Sequence, residues 1–444
     1  MIPLRGALWL RGALWLRGAL WLRGAPRRVG FLVAAVALAA GAAVALAPRQ
    51  PVASASSSGW VDTWAAAPEN ATHEVVDRAF LGFTDTTVRD VVFTSIGGSE
   101  IRIRLSNLFG KRPLVIGRAS VGQVLSGGSL AGSAFPVKFG NSASVVVPVG
   151  EEVLSDPVPM SVSALEDIAV SVYLPGPTGP ATYHFFAQQN NFLATGDHVS
   201  DTGDAAFGAR ITSWYFLDGV EVLSADKRAG VVVAFGDSIT DGIGSADDLN
   251  DRWPDFLARD LVGQYGNQAP GVIDEGIGGN RVLSPSACFG QSAVTRFSRD
   301  VLDQPGVRAV IVLEGINDIG YSGDPDRGCE APGTDVSAAQ IIGGYKKMIA
   351  AAHSHGVKIF GATMTPFHSA WFWTAERQAK WQAVNDWIRT SGAFDGVFDF
   401  ARAVAAPNAP DYLNPADDSG DGLHPNDAGY AAMAASINLN RLPS

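Results

Sequence analysis

Between Trp60 and Leu223 the chain alternates apolar and polar residues in short runs. Thr87-Val88-Arg89-Asp90-Val91-Val92-Phe93 and Ile101-Arg102-Ile103-Arg104-Leu105 alternate or nearly so. That period of two predicts strands with one buried and one wet face. Asp167-Ile168-Ala169-Val170-Ser171-Val172-Tyr173-Leu174 and Ala181-Thr182-Tyr183-His184-Phe185-Phe186 continue the pattern, and Gly- and Pro-rich breaks such as Pro175-Gly176-Pro177-Thr178-Gly179-Pro180 separate the runs. Many short strands joined by such turns predict a β-sandwich or jelly-roll-like unit over residues 56–225.

From Gly230 onward the period changes. Val231–Phe235, Val272-Ile273, Ala309–Leu313, Lys358–Thr363 and Val397–Phe400 are short, nearly continuous apolar runs. Helical segments are expected between them at Trp253–Val262, Ala338–His355 and Ala375–Arg389. Strands without alternation are buried on both faces, so residues 226–444 are expected to be an α/β domain with a doubly wound parallel sheet.

In an open parallel sheet, ligands bind beyond the carboxyl ends of the strands. Here the first strand runs into Gly236-Asp237-Ser238, and the second ends at Gly276-Ile277-Gly278-Gly279-Asn280. The third ends at Glu314-Gly315-Ile316-Asn317-Asp318, and Asp421-Gly422-Leu423-His424-Pro425 follows the fifth. Together these supply the parts of acyl transfer. A serine hydroxyl needs a base, and imidazole can serve near neutral pH. The imidazolium needs an oriented carboxylate on its other nitrogen, from Asp421 or, as an outside candidate, Asp418. A tetrahedral oxyanion needs preorganised donors, expected from the Asn317 amide and the N–H groups of Gly279 and Ser238. Gly276 and Gly278 are alternatives to Gly279.

Those four blocks, in that order, resemble the SGNH (GDSL-type) hydrolases over residues 230–435. The resemblance implies a flavodoxin-like sheet and metal-free ester hydrolysis without a cofactor. It also implies a triad of Ser238, Asp421 and His424, with Gly279 and Asn317 as oxyanion donors. The leader, the strand-rich first half and Glu314–Gly320 are further similar to a secreted bacterial branch often grouped with carbohydrate esterases. Removal of short acyl groups from a carbohydrate or similar polar ester is therefore expected. Acyl transfer on the same triad and a lipase-like acyl hydrolase are the alternatives.

Composition narrows the setting. Arg27 and Arg28 precede an apolar run from Gly30 to Ala47, and Ala53-Ser54-Ala55 follows. That order predicts a cleaved secretory leader over residues 1–55, hence a secreted protein with no stable membrane association afterwards. Hexapeptide repeats of Arg-Gly-Ala-Leu-Trp-Leu fill residues 5–24 and are too short for a solenoid. The formal charge is −11, and the leader holds seven Arg and no acid. Without it, 26 basic residues face 44 acidic ones, a net of −18. So acidic a surface argues against nucleic acid as a partner. Asp417–Gly422 begins like a calcium loop but has Ala428 where Glu is required, and His353 and His355 fall on different helix faces, so no metal is expected. The two cysteines, Cys288 and Cys329, are expected to form a disulfide in an oxidising compartment.

Overall fold

In a computed structural model, residues 59–226, 229–326 and 328–443 are described. The expected leader, its repeats and its cleavage site lie outside them. The described residues fall within one compact unit.

The first half is built from antiparallel sheets. One contains β1 (Trp60–Ala65), and the next contains β2 (Thr86–Thr94). After them come β3 (Ile101–Ser106), β4 (Arg118–Ser126), β5 (Glu166–Leu174), β6 (Thr182–His184), β7 (Asn191–Thr195) and β8 (Leu217–Leu223). In the first sheet β8 lies between β1 and β3. In the second, the order β7-β2-β5-β4 brings β5 against β2 in unbroken register from Glu166 opposite Thr94 to Leu174 opposite Thr86. Val88, Val92, Val170 and Val172 share a buried apolar cluster with Ile101, Ile103, Leu105, Val220 and Val222.

The expected wet face is found only in part on β3, where Arg102 and Arg104 are half-buried between fully buried neighbours and paired with Glu221 and Asp218. On β2 it is not: every residue from Thr86 to Thr94 is buried. Its second face is covered by a smaller cluster containing Val91, Ala169, Phe192 and Phe207. Arg89 makes that cover possible. Its guanidinium donates to Ser171 Oγ (2.8 Å), Gly128 O (2.6 Å) and Asp201 O (2.5 Å), and lies 4.0 Å from the Phe207 ring centre. A charge so provided with acceptors can be buried, whereas an unpaired one could not.

The second half carries five parallel strands: β9 (Val231–Gly236), β10 (Gly271–Gly276), β11 (Val307–Leu313), β12 (Lys358–Ala362) and β13 (Gly396–Phe398). Their order is β10-β9-β11-β12-β13. This is the 2-1-3-4-5 arrangement, whose switch point lies beside the first strand. Its helices include α1 (Ser238–Asp241), α2 (Trp253–Tyr265), α3 (Ala293–Phe297), α4 (Ile316–Gly320), α5 (Ala338–Ser354), α6 (Ala375–Thr390) and α7 (Asp427–Ala435). Helix α5 shows why such segments form. Ser337 and Gln340 cap each other's backbone N–H groups, and Ile341, Tyr345, Met348, Ile349 and Ala352 make one buried stripe.

The halves share one apolar cluster, in which Trp64 and Ile96 join Val231 and Ile273. Polar links cross as well. Val272 N–H donates to Ser95 Oγ (3.0 Å), Arg104 to Gln304 Oε1 (3.0 Å) and Asn250 to Asp167 Oδ1 (3.0 Å).

Candidate active site

The site lies at the switch point. Strand β9 ends in Gly236, and the next turn places Ser238 at the first position of α1, capped by Asp237, whose Oδ1 accepts from Ile239 N–H at 3.0 Å. Ser238 is buried. Its Oγ stands 2.9 Å from His424 Nε2, and His424 Nδ1 stands 2.6 Å from Asp421 Oδ2. The second Asp421 oxygen accepts the N–H groups of Leu423 (2.9 Å) and His424 (2.8 Å), so the carboxylate is oriented by its own turn. Burial pulls the Asp421 pKa upward, but hydrogen bonding and the charge of His424 outweigh it and hold it at about 2. An ionised Asp421 is purely an acceptor, so Nδ1 carries the imidazole proton. Nε2 is thereby left to accept from the Ser238 hydroxyl.

Asp418 does not compete for the imidazole. Its Oδ1 accepts from Gly420 N–H (2.8 Å) and Gly422 N–H (3.1 Å).

The loop after β10 discriminates among its glycines. Gly276 N–H donates to Asp274 Oδ1 (2.9 Å), and Gly278 N–H donates to Asp241 Oδ2 (2.8 Å). Among the described residues, the N–H groups of Gly279 and Ser238 have no protein acceptor. Gly279 has φ +74°, and a Cβ there would come within 2.5 Å of the Phe289 ring. Only glycine fits both conditions. Asn317, at the start of α4, donates from Nδ2 to Asn280 O at 2.9 Å, which ties the third strand end to the second.

Sequence reasoning did not find the group that braces these loops. Arg296, on α3, is fully buried. It donates to Gly236 O (2.8 Å), Glu275 O (2.7 Å) and Asn280 Oδ1 (3.0 Å), and pairs with Asp300 (3.1 Å). Asp318 adds a second brace, accepting from Val282 N–H (2.6 Å) and Leu283 N–H (3.1 Å). Burial raises its pKa to about 6. Cys288 and Cys329, beyond the same two strand ends, are joined by a disulfide.

Residues 234–432 match the model of the GDSL-like Lipase/Acylhydrolase family. This GDSL-like segment holds every strand end described above, and the chain is a carboxylic ester hydrolase. Solved structures give fainter likenesses. A GDSL-like lipase from Bacteroides thetaiotaomicron VPI-5482 is 20% identical over 49% of this chain and 90% of that one, with a TM-score of 0.35. An acetylxylan esterase from Geobacillus stearothermophilus is 20% identical over 48% of this chain and 93% of that one, with a TM-score of 0.36. No curated protein matches the chain.

The aromatic run after β12 divides between core and surface. Phe372 is buried against Phe367 (ring centres 5.4 Å apart), and a Cβ on Gly320 of α4 would lie 3.2 Å from its ring. Trp371, edge-on to Phe372 at 5.2 Å, is 69% exposed. Ser369, two residues earlier, packs against Gly422 in the loop that carries His424.

Proposed function

We propose that the GDSL-like segment hydrolyses esters through an acyl-enzyme on Ser238. The observation that carries this reading is the chain of contacts from Asp421 through His424 to Ser238, at 2.6 and 2.9 Å. Ser238 Oγ attacks the ester carbonyl as His424 Nε2 takes the hydroxyl proton. Asp421 holds the resulting imidazolium on its Nδ1 side. The oxyanion is received by the N–H groups of Ser238 and Gly279 and by the Asn317 amide. His424 then gives its proton to the departing alcohol, and water, activated by the same imidazole, releases the acid.

The substrate we favour is a short acyl group on a carbohydrate or similarly polar alcohol. Exposed Trp371, near the His424 loop, offers such an alcohol a flat apolar face. Residues 56–225 we read as an accessory β-rich region of a secreted enzyme, and the Cys288–Cys329 bond suits an oxidising compartment.

Ser238→Ala should remain folded and lose more than roughly 10³-fold of its turnover, a cautious expectation beside the ~10⁶-fold effect of the nucleophile in a serine protease. A fluorophosphonate should label the wild type at Ser238 and leave the variant untouched. Labelling elsewhere, or turnover near wild type in Ser238→Ala, would overturn the reading.

A further inference from the structure

A second histidine–aspartate pair, this one buried, lies behind the nucleophile, and its histidine comes from the β-rich half. Asp241 ends helix α1, three residues after Ser238, and is buried. One of its oxygens accepts Gly278 N–H at 2.8 Å, and the other stands 3.0 Å from His184 Nε2. The other His184 nitrogen, Nδ1, stands 3.0 Å from Ala67 O, with the Glu69 carboxylate 3.9 Å away. A carbonyl oxygen can only accept, so Nδ1 carries a proton. Nε2 faces a carboxylate and carries one too. The ring is thus an imidazolium. Burial works against that charge, but the Asp241 and Glu69 carboxylates outweigh it and lift the His184 pKa to about 9.

The pair reaches the chemistry through the turn after β10. Ile277 N–H donates to Gly236 O (3.0 Å) and Asn280 N–H to Ile277 O (3.1 Å). Gly278 N–H is held by Asp241 and is next in the chain to the Gly279 N–H, which has no protein acceptor among the described residues. The β-rich half also overlies this loop. A Cβ on Gly278 would come within 2.7 Å of the Phe186 ring, and Asn70 Nδ2 donates to Ala287 O at 3.3 Å.

We infer that His184 is a positioning residue for the oxyanion loop, acting through Asp241 on the backbone of Gly278. This rests on the reading of Gly279 N–H as an oxyanion donor. Without its imidazolium partner, buried Asp241 keeps one acceptor unpaired, an arrangement relieved by rotation of the carboxylate. That rotation releases Gly278 and lets the adjacent N–H drift. Misplacement by about 1 Å can cost a reaction roughly 10²-fold. The β-rich half is therefore a working part of the active site rather than a passive neighbour.

The experiment compares His184→Ala, His184→Gln and Asp241→Asn in the full chain, well below each variant's melting temperature. An aryl acetate gives kcat and KM, and fluorophosphonate labelling gives the reactivity of Ser238. His184→Ala should lower kcat by roughly 10- to 100-fold with KM within about threefold, and slow labelling in parallel. His184→Gln, whose amide still donates, should recover part of the loss. A folded His184→Ala with wild-type kcat, or one whose loss is confined to KM or melting temperature, overturns the inference. Should His184→Ala not fold, wild-type kcat in both His184→Gln and Asp241→Asn does the same. Ser238→Ala, run alongside, separates the two readings. If it still turns over, the triad itself has failed; if it is inert while the His184 variants are normal, only the positioning role has.

Discussion

Two fully buried arginines show how differently the halves of this molecule use the same residue. Arg89 in the β-rich half and Arg296 in the GDSL-like segment are both fully buried and both surrounded by acceptors. Arg89 donates to Ser171 Oγ and to the carbonyls of Gly128 and Asp201, and so fastens loops over one face of a sheet. Arg296 donates to Gly236 O, Glu275 O and Asn280 Oδ1, which are the ends of two strands and the loop of Gly279. Each offsets a desolvation cost of several kcal/mol by filling its hydrogen-bond positions. The first closes a core. The second ties together three chain segments at the switch point beside Ser238. Placement at the carboxyl ends of parallel strands, rather than chemical type, separates a packing residue from one that serves a site.

If that difference is genuine, changes at the strand ends should alter turnover far more than stability. Among the groups proposed to receive the oxyanion, the Asn317 side chain gives the largest expected effect. Asn317→Ala should lower kcat by about 10²–10³-fold with KM nearly unchanged, because an oxyanion donor acts mainly on the transition state. Steady-state kinetics on an aryl acetate, with a thermal melt alongside, would check it. A change in KM alone would move Asn317 to ground-state binding and blur the contrast between the halves.

Ser238, Gly279 and Asn317 were open to sequence reasoning because each follows a strand whose apolar run is legible, whereas Asp421 and His424, in the loop before α7, were read from their own short block. Val231–Phe235 is buried throughout, and Gly236-Asp237-Ser238 follows without a loop. The segment Ala309–Leu313 likewise leads directly to Asn317. Helices α5 and α6 end within one residue of their expected bounds, since strong periodicity and capping fix them locally. What stayed hidden depends on partners distant in the chain. His184 meets Asp241 across 57 positions, and nothing near His184 marks it as other than a strand residue. Arg296 is similarly silent, because two of its acceptors are the backbone carbonyls of Gly236 and Glu275, which carry no sequence signature, and Asn280 lies 16 positions away. The second covered face of β2 was missed for a related reason. Alternation reports the chemistry of side chains, and Arg89 is polar yet buried because loops distant in sequence supply its acceptors.

The disulfide tests the comparison from the stability side. In the β-rich half, loops lean on continuous ladders such as the nine-residue register of β2 with β5. Beyond β10 and β11 the loops, among the described residues, lean on point contacts such as Arg296, Asp318, the Arg281 guanidinium donating to Pro285 O, Ala331 O and Pro332 O, and the Cys288–Cys329 bond. That bond spans a sequence separation of 41. The chain-entropy model assigns a crosslink of this length about 3–4 kcal/mol. Reduction, or Cys288→Ala with Cys329→Ala, should therefore lower the melting temperature and reduce kcat modestly. Calorimetry and aryl acetate kinetics with and without reductant provide the check. A reduced enzyme with unchanged turnover would mean that Arg281, Arg296 and Asp318 suffice to hold the loops.

The smallest expected effect concerns the rim, where neither chemistry nor core is at stake. Trp371 is exposed, but its position is not free: it sits edge-on to Phe372, which is buried against the helix that carries Asn317. An immobilised flat face loses little conformational entropy when a sugar ring settles on it. Aromatic contacts of this kind contribute about 0.5–1.5 kcal/mol, roughly a two- to tenfold change in affinity. Trp371→Ala should accordingly raise KM for an acetylated oligosaccharide by about that factor and leave kcat alone. A small alkyl acetate, too short to reach the rim, should be hydrolysed by wild type and variant at equal rates. Equal KM values for the oligosaccharide would remove Trp371 from the substrate path. Parallel losses on both substrates would show instead that its contact with Phe372 supports the Asn317 helix, making it part of the strand-end bracing rather than of the rim.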